Sequence, residues 1–561
     1  MPASSDESPS QAVRWRQFAA ETGLIFLLFF LQGSSLPPDV NEAHYLVKAK
    51  HYWNPAFCAG DVFCESADAH AMFYVTFGLL TKWLSLPAAA WTGRILGWLI
   101  LSATWTRLAN VVSPGKWRAF LSAAVVLVLW QRTHLGGEWV VGGIEAKILA
   151  YGFVFLAVAD WCTEKWQRAL FLAGCGAAFH VLVGGWTIVA FGVAWLLLGN
   201  QRPKVRELLP SAIAAVVVAA PGWWPALALA RGVDSPTLNE AYRIYVYERL
   251  SHHLVFHRFD HTFMLRHGAL VAATVALWRY GPKSVALNRL YGVVAGAAAI
   301  AVAGIVLDQS LLYFPELSAK LLRFYFYRLS DAFIPIAAAM GLLAWLSVWE
   351  KSRPAWFAAG LATIMAITSL HFAGQAYEQR ADHLPAAVLQ SLPRTKQAPL
   401  RFWNSAAVST DESPPEEQPY IAPPNPLDIA ADRAEWFRQW QGTCHWIKHS
   451  TAATDRFLTP RHQQTFKWYA ERPEVVNWKD MPQDAKSLVV WFNTWNVIHP
   501  YENGISDLAG HTDEQLRALG KTYGAKYVVI DRTRFERPSS LVRVYPAYVD
   551  QDSLFAVYRL E

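Results

Sequence analysis

Gly23-Leu24-Ile25-Phe26-Leu27-Leu28-Phe29-Phe30-Leu31 and, just beyond it, Asp39-Val40-Asn41-Glu42-Ala43-His44-Tyr45 set the fold class of this chain. The first stretch is the centre of an apolar run over about residues 17–36, continuous rather than one-sided, as a segment surrounded by hydrocarbon requires. The second places two carboxylates and an imidazole where that run ends. Glu42 follows Asp39 by one helical turn, so on a helix both acids share a face suited to holding a divalent cation or taking a proton. An acidic loop in water is the plain alternative.

Further long apolar runs fill the first two thirds of the 561 residues, which are 53% hydrophobic and 17% charged overall. That composition makes a polytopic helical membrane domain of about eleven to twelve spans. From about residue 375 the runs stop, a Pro-rich linker covers 375–433, and residues 434–561 suffice for one small α/β soluble domain. The net charge of +6 is modest and sits in short loops between apolar runs. It orients a membrane protein and does not describe a nucleic-acid binder.

Arg14 and Arg16 precede the first run, and no small-residue cleavage site follows it, so it reads as a retained span with a cytoplasmic N-terminus. Basic loops at Arg107 to Arg118, Lys165 to Arg168, Arg202 to Arg206, Arg279 to Arg289 and Lys351 to Arg353 fall on the same side under strict alternation, with spans expected near 89–110, 118–131, 144–161, 168–183, 186–199, 207–230, 265–280, 290–307, 331–349 and 354–372. The α/β tail is then extracytoplasmic. The apolar stretch 71–86 breaks the parity if it crosses, so an interfacial or re-entrant segment is expected. Gly184-Gly185 predicts either a broken helix pair or a helical hairpin with a glycine turn.

Most residues suited to chemistry fall on the outer side in this topology. Glu138, then Gly142-Gly143-Ile144-Glu145-Ala146-Lys147, combine carboxylates, a cation and a glycine turn whose free N–H groups suit an anion; a helix cap with a snorkelling lysine is the alternative. A later loop carries Glu248-Arg249, His252-His253, His257, Arg258, Asp260 and His261. It lacks the ligand spacing of a zinc site, and a basic, aromatic loop of this kind suits a phosphate or sugar hydroxyl. Arg323, Arg328 and Asp331 follow, either as contacts for an anion or with Arg328 and Asp331 paired across one helical turn. Cys58 and Cys64 share the first outer loop, where a disulfide is permitted.

In the tail, Trp436 to His449 has helical spacing, Arg456 to Thr459 and Ser487 to Phe492 read as strands, and a helix is expected from Pro460 through Tyr469. Asp513 to Tyr523 reads as a helix, Tyr527 to Asp531 as a buried strand and Leu541 to Tyr558 as two more strands. No glycine-rich phosphate loop or nucleophile elbow occurs in it.

An outer acidic site at Asp39 and Glu42 after a first span, interfacial segments, and a second acidic site at Glu138 and Glu145 resemble the GT-C glycosyltransferases. The tail, with Phe457-Leu458-Thr459-Pro460, Phe466 to Arg472 and Val476 to Asp484, is similar to an uncharacterised, planctomycete-type family of bacterial membrane proteins. The first resemblance implies a donor sugar on a polyprenyl phosphate in the lipid bilayer of the bacterial inner (cytoplasmic) membrane. It makes Asp39 or Glu42 the base or a ligand for Mg or Mn, Glu138 or Glu145 a second acidic partner, and Arg328 a lipid-phosphate contact. The usual paired-acid motif of that family is Asp-x-Asp or Glu-x-Asp, from which Asp39-Val40-Asn41-Glu42 departs. His44, Lys147, His252, His253, Arg323 and Asp331 complete the expected substrate-binding set. Replacing Asp39 and Glu42 by Asn and Gln is expected to stop transfer and leave folding intact. A transporter or flippase for a lipid-linked or polar substrate, or a non-catalytic membrane anchor for the α/β domain, are the other readings.

Overall fold

The computed structural model describes residues 11–382, 384–389, 426–461, 463–500, 507–532, 539–547 and 553–561. Most of the expected Pro-rich linker, 390–425, lies outside the described residues, and a helix already begins at Pro426.

Four helices among the described residues are long and apolar enough to cross a membrane: Leu86–Val112, Val285–Ser310, Arg328–Ser352 and Pro354–Tyr377. A fifth arises if Val205–Val218 and Ala220–Ala228, bent by 56° at their junction, count as one span. The chain is thus built as an integral membrane protein. The eleven or twelve spans expected from composition reduce to these by length and apolarity together: Gln11–Gly33 and His261–Tyr280, of 23 and 20 residues, are long enough but carry too many polar residues. Ala146–Cys162 has 17 residues and Trp166–Phe179 has 14, which at the helical rise measure about 21–26 Å against roughly 30 Å of hydrocarbon.

The helix starts are set by ordinary caps. Ser85 Oγ accepts from Ala88 N before Leu86–Val112, and Ser284 Oγ accepts from Leu287 N before Val285–Ser310. Each side-chain oxygen satisfies one N–H that the helix cannot pair internally. The glycine pair does not break the chain as expected: Gly184 and Gly185 lie inside the continuous helix Val181–Leu197, and the break falls at His180. Gly184 serves packing instead. A Cβ there would stand 2.1 Å from Ala177 N, so only glycine lets the two helices approach this closely.

Residues 71–86 form a short helix, Ala71–Val75, and a 3₁₀ segment, Phe77–Lys82, neither long enough to cross. They lie against the Glu42–Trp53 helix: Trp53 Nε1 donates to Tyr74 O at 2.8 Å. Cys58 and Cys64 are buried free thiols.

Ionic groups collect at the two ends of Ala146–Cys162. At its C-terminal end Arg107 and Arg168 both bind Asp160, and Arg289 binds Glu164. These belong to the basic loops singled out in the sequence. Its N-terminal end carries Glu145 and Lys147, where the site lies.

The tail holds a four-stranded sheet of order β1-β2-β4-β3, with β1 Phe457–Leu458, β2 Tyr527–Asp531, β3 Val542–Tyr545 and β4 Phe555–Arg559. β1 pairs parallel with β2, and β4 runs antiparallel to both β2 and β3. Alternation along β2 sends Val529 to one face, with Val557, Trp436 and Trp440, and Val528 to the other, with Leu488, Trp491 and Trp495. Ser487 to Phe492 is helical, not a strand: it lies in Ala485–Ile498, capped by Asp484, whose side chain accepts from Ser487 N. Its buried residues Ala485, Leu488, Trp491, Trp495 and Ile498 recur at helical spacing, which overrides the β-propensity of Val489, Val490, Trp491 and Phe492. The helix expected from Pro460 is confined to Phe466–Ala470.

The tail is packed into the rest of the chain. Ala241 and Ile244 join its core, and Trp468 joins the core of the membrane half.

Candidate functional site

Glu42 opens the Glu42–Trp53 helix and is 1% exposed. Arg94, on the apolar Leu86–Val112 helix, donates to it through Nε and an Nη, each at 2.6 Å. Ile144 N donates to Oε1 at 2.9 Å and Asp39 N to Oε2 at 2.7 Å. All four acceptor positions of the carboxylate are therefore taken. Asp39, half-buried, accepts one backbone N–H on each oxygen, from Val40 and from Gly143, both at 2.7 Å. Asp39 and Glu42 together hold the Gly142-Gly143-Ile144 turn against the segment that opens the Glu42–Trp53 helix. A Cβ on Gly143 would lie 2.6 Å from Asp39 Cβ, so the glycine permits that contact.

The next residues of the turn form a chain of alternating charge. Asn41 Nδ2 donates to Glu145 Oε2 at 3.0 Å, and Lys147 Nζ lies 3.0 Å from Glu145 Oε1 and 3.8 Å from Glu138 Oε1. Lys147 also sits 3.8 Å from the centre of the Trp139 ring. Tyr151 Oη donates to Glu138 Oε1 at 3.1 Å, and Arg328 Nε stands 3.3 Å from Glu138 Oε2. Arg328 then reaches His180 Nε2 at 2.8 Å and covers the Tyr325 ring at 4.4 Å. Tyr325 adopts a left-handed backbone, φ 54°, a conformation that costs a tyrosine about 1–3 kcal/mol and is characteristic of functional sites. Glu138, Glu145, Lys147 and Arg328 are all at least nine-tenths buried or close to it.

Asp331 does not pair with Arg328. It accepts the N–H groups of Leu135, Gly136 and Glu138 at 2.6, 2.8 and 3.2 Å, fixing the loop that presents Glu138. His253 Nδ1 lies 2.6 Å from Gly136 O and braces the same loop. His44 Nδ1 is 3.2 Å from Asp480 Oδ1 in the tail. His257 goes elsewhere, to Asp308 at 3.0 Å, so the repeated four-residue histidine spacing gathers no common ligand set. Arg323 stands apart, over Tyr242 at 4.1 Å with Nε donating to Lys320 O.

Lys479, His180 and Arg94 are not among the residues that the sequence singles out, whereas His252 is. Lys479, half-buried in the tail, neighbours Arg249, Glu145, Asp480 and Asp39. Burial and the Arg249 guanidinium push its ammonium down to about 7, against the pull of the three carboxylates. His252 is lowered to about 4 by burial and by Arg249 and Lys479. His180 was missed because a histidine between two apolar runs carries no motif. Arg94 carried a usable signal, an arginine in an otherwise apolar segment.

Among the described residues no group of three or more His, Cys, Asp or Glu side chains is arranged to hold a metal ion. Glu42, with every acceptor position filled, does not fit an ion shared with Asp39.

Residues 438–498 match the family model described as "Domain of unknown function (DUF6798)". No curated protein matches the chain. Among solved structures, the chain is similar to an archaeal oligosaccharyltransferase, AglB from Archaeoglobus fulgidus in complex with an inhibitory peptide and a dolichol-phosphate: TM-score 0.43, 12% identity, 93% of this chain and 70% of that one. The apo form of the Archaeoglobus fulgidus oligosaccharyltransferase gives TM-score 0.42 at 13% identity, again over 93% and 70%.

Proposed function

We propose that the chain is a membrane glycosyltransferase that moves a sugar from a polyprenyl-phosphate-linked donor to an acceptor at the outer face of the bacterial cytoplasmic membrane, its N-terminus inside and its tail outside. The observation that carries this reading is the buried run Asn41, Glu145, Lys147, Glu138, Arg328 and His180 at one end of apolar helices. Carboxylates there take a proton from an acceptor hydroxyl, and cations beside them stabilise a departing phosphate. Asp39, half-buried with one hydrogen bond on each oxygen, and Glu145 are the bases in this reading. Glu42 positions the turn that carries Glu145. Lys147 and Arg328 form the cationic edge. No step runs through a metal ion.

The test uses the full chain in nanodiscs with polyprenyl-phosphate-linked hexoses, following release of the lipid phosphate. Release by the wild type and its loss in D39N or E145Q supports the proposal; a wild type that releases none from any donor overturns it.

The 56° bend between Val205–Val218 and Ala220–Ala228, with Pro210 and Pro225 inside the two helices, favours a second reading as a transporter or flippase. Passage of the lipid-linked sugar across vesicles without chemical change decides for it.

A further inference from the structure

Cys58 and Cys64 bracket a tight turn that follows the Glu42–Trp53 helix. Asp61 N donates to Cys58 O at 3.2 Å, and Asp61 Oδ1 accepts from Cys64 N at 3.1 Å, so the turn closes on itself twice. The two thiols lie in hydrogen-bonding contact with each other, and the residues are 1% and 3% exposed. Cys58 adopts a left-handed backbone, φ 53°, two residues before Gly60 at φ 82°. Glycine takes that conformation freely, whereas a residue with a Cβ holds it only where its surroundings require the side chain. A thiol–thiol hydrogen bond is too weak to supply that requirement. A covalent link supplies it.

The same turn receives the tail. Gly60 O accepts from Arg456, and Asp61 Oδ2 faces the Lys467 ammonium at 3.1 Å and accepts from Glu474 N at 3.2 Å. A little further on, Ala67 N donates to Asp484 Oδ2 at 3.2 Å and Ala69 N to Gln483 Oε1 at 3.1 Å. The docking contacts therefore hang on backbone whose shape the cysteine pair can set.

We propose that Cys58 and Cys64 are oxidised to an intramolecular disulfide, and that this bond preforms the turn on which the tail docks. This rests on the outer placement of the loop in the transferase reading, since such a bond persists in an oxidising compartment. The oxidant is an external disulfide, carried by a dithiol protein or a small thiol compound. One cysteine thiolate attacks it and releases a thiolate; the second cysteine thiolate then displaces the external sulfur that remains. Both cysteine protons leave, the Sγ–Sγ bond forms, and the external disulfide is reduced to two thiols. In the docked chain burial, the Cys58 thiol and the Asp61 carboxylate push the Cys64 thiol up against the pull of Lys467, which keeps it from reacting. Oxidation thus precedes docking, and the docked tail shields the bond from reductants.

The experiment blocks free thiols with a maleimide as the membranes are dissolved, denatures the full-length protein in excess maleimide without reductant, and weighs the tryptic peptide 51–82, which holds both cysteines. The expected peptide carries no maleimide, is two hydrogens lighter than its reduced form, and takes up two maleimides only after reduction. A peptide labelled once or twice without reduction overturns the disulfide. In a parallel sample, K521C, at an exposed position of the tail, is treated in spheroplasts with a membrane-impermeant maleimide. A labelled tail with free thiols at Cys58 and Cys64 overturns the disulfide and leaves the outer placement standing; an unlabelled tail with free thiols overturns both. Limited proteolysis supplies the second readout. C58A, C64A and the double variant should each lose the tail severalfold faster than wild type and at equal rates, because either single change already removes the bond. Losses that add in the double variant, as independent packing defects would, or no loss in any of the three, overturn the docking role.

Discussion

Arg94 grips both oxygens of Glu42, each at 2.6 Å, and joins the start of the Glu42–Trp53 helix to a long apolar helix. Both side chains are essentially excluded from solvent, at 0% and 1% exposure. Removing one partner of such a pair leaves the other charged and unmatched, at a cost of about 3–5 kcal/mol. E42Q is therefore expected to lower the unfolding midpoint in detergent markedly, and R94M to do the same. D39N, which loses no ion pair, keeps its midpoint. This revises the expectation that both acids can be neutralised with folding intact. An E42Q midpoint equal to that of wild type would remove the positioning role.

Glu145 and Asp39 are expected to weigh more on chemistry than on folding. In E145Q the bond from Asn41 can persist, because one oxygen remains, while the base is gone. The expected loss is roughly 10²–10⁴ in kcat, the usual contribution of a positioned base, with KM little changed and a midpoint lowered less than in E42Q, because Lys147 keeps Glu138 at 3.8 Å as a counter-charge. Equal kcat in E145Q and wild type would shift the proton-accepting role to Asp39 alone.

Much of the architecture was legible because long apolar runs and a polar tail are global signals. Local irregularities were less so. Gly184-Gly185 reads equally as a break or as close packing, and only the neighbouring Ala177 decides between them. Ser487 to Phe492 combined β-branched and aromatic residues with helical spacing, and the Asp484 cap settles the competition. In the site, Asp39, Glu42, Glu138, Glu145, Lys147 and Arg328 were named from charge near apolar ends, and the structure brings them together. The division of labour among them was not legible. It depends on Arg94, more than forty residues away from Glu42, and on Lys479, which reaches the site only because the tail folds back.

Lys467 is the point at which the tail is fastened. Its ammonium lies 3.1 Å from Asp61 Oδ2, 2.8 Å from Glu474 Oε1 and 2.9 Å from Asp480 Oδ2, and all four side chains are almost wholly buried. Asp61 lies just after the Glu42–Trp53 helix and the other three residues in the tail, so a single charge bridges the two halves. The carboxylates respond differently to it. Burial pushes Asp480 up, but Lys467 and His44 outweigh that and hold it well below the usual range. For Glu474 burial prevails even against Lys467 and leaves the carboxyl raised to about 7. K467M removes the one cation among the described residues that contacts all three acids, and several kcal/mol of docking stability should go with it. Limited proteolysis should then cut near residues 54–66 and 471–480, which wild type protects. The defect should depend on pH in a definite direction. Without the ammonium, burial acts on Glu474 with no facing cation against it, its carboxyl holds its proton to higher pH, and the folded variant gains a proton relative to the unfolded chain. Acidification from pH 8 towards 5 should therefore narrow the difference between K467M and wild type. A difference that stays constant over that range would mean that Lys467 acts through packing against Phe63, 5.6 Å from its ammonium, and not through its charge.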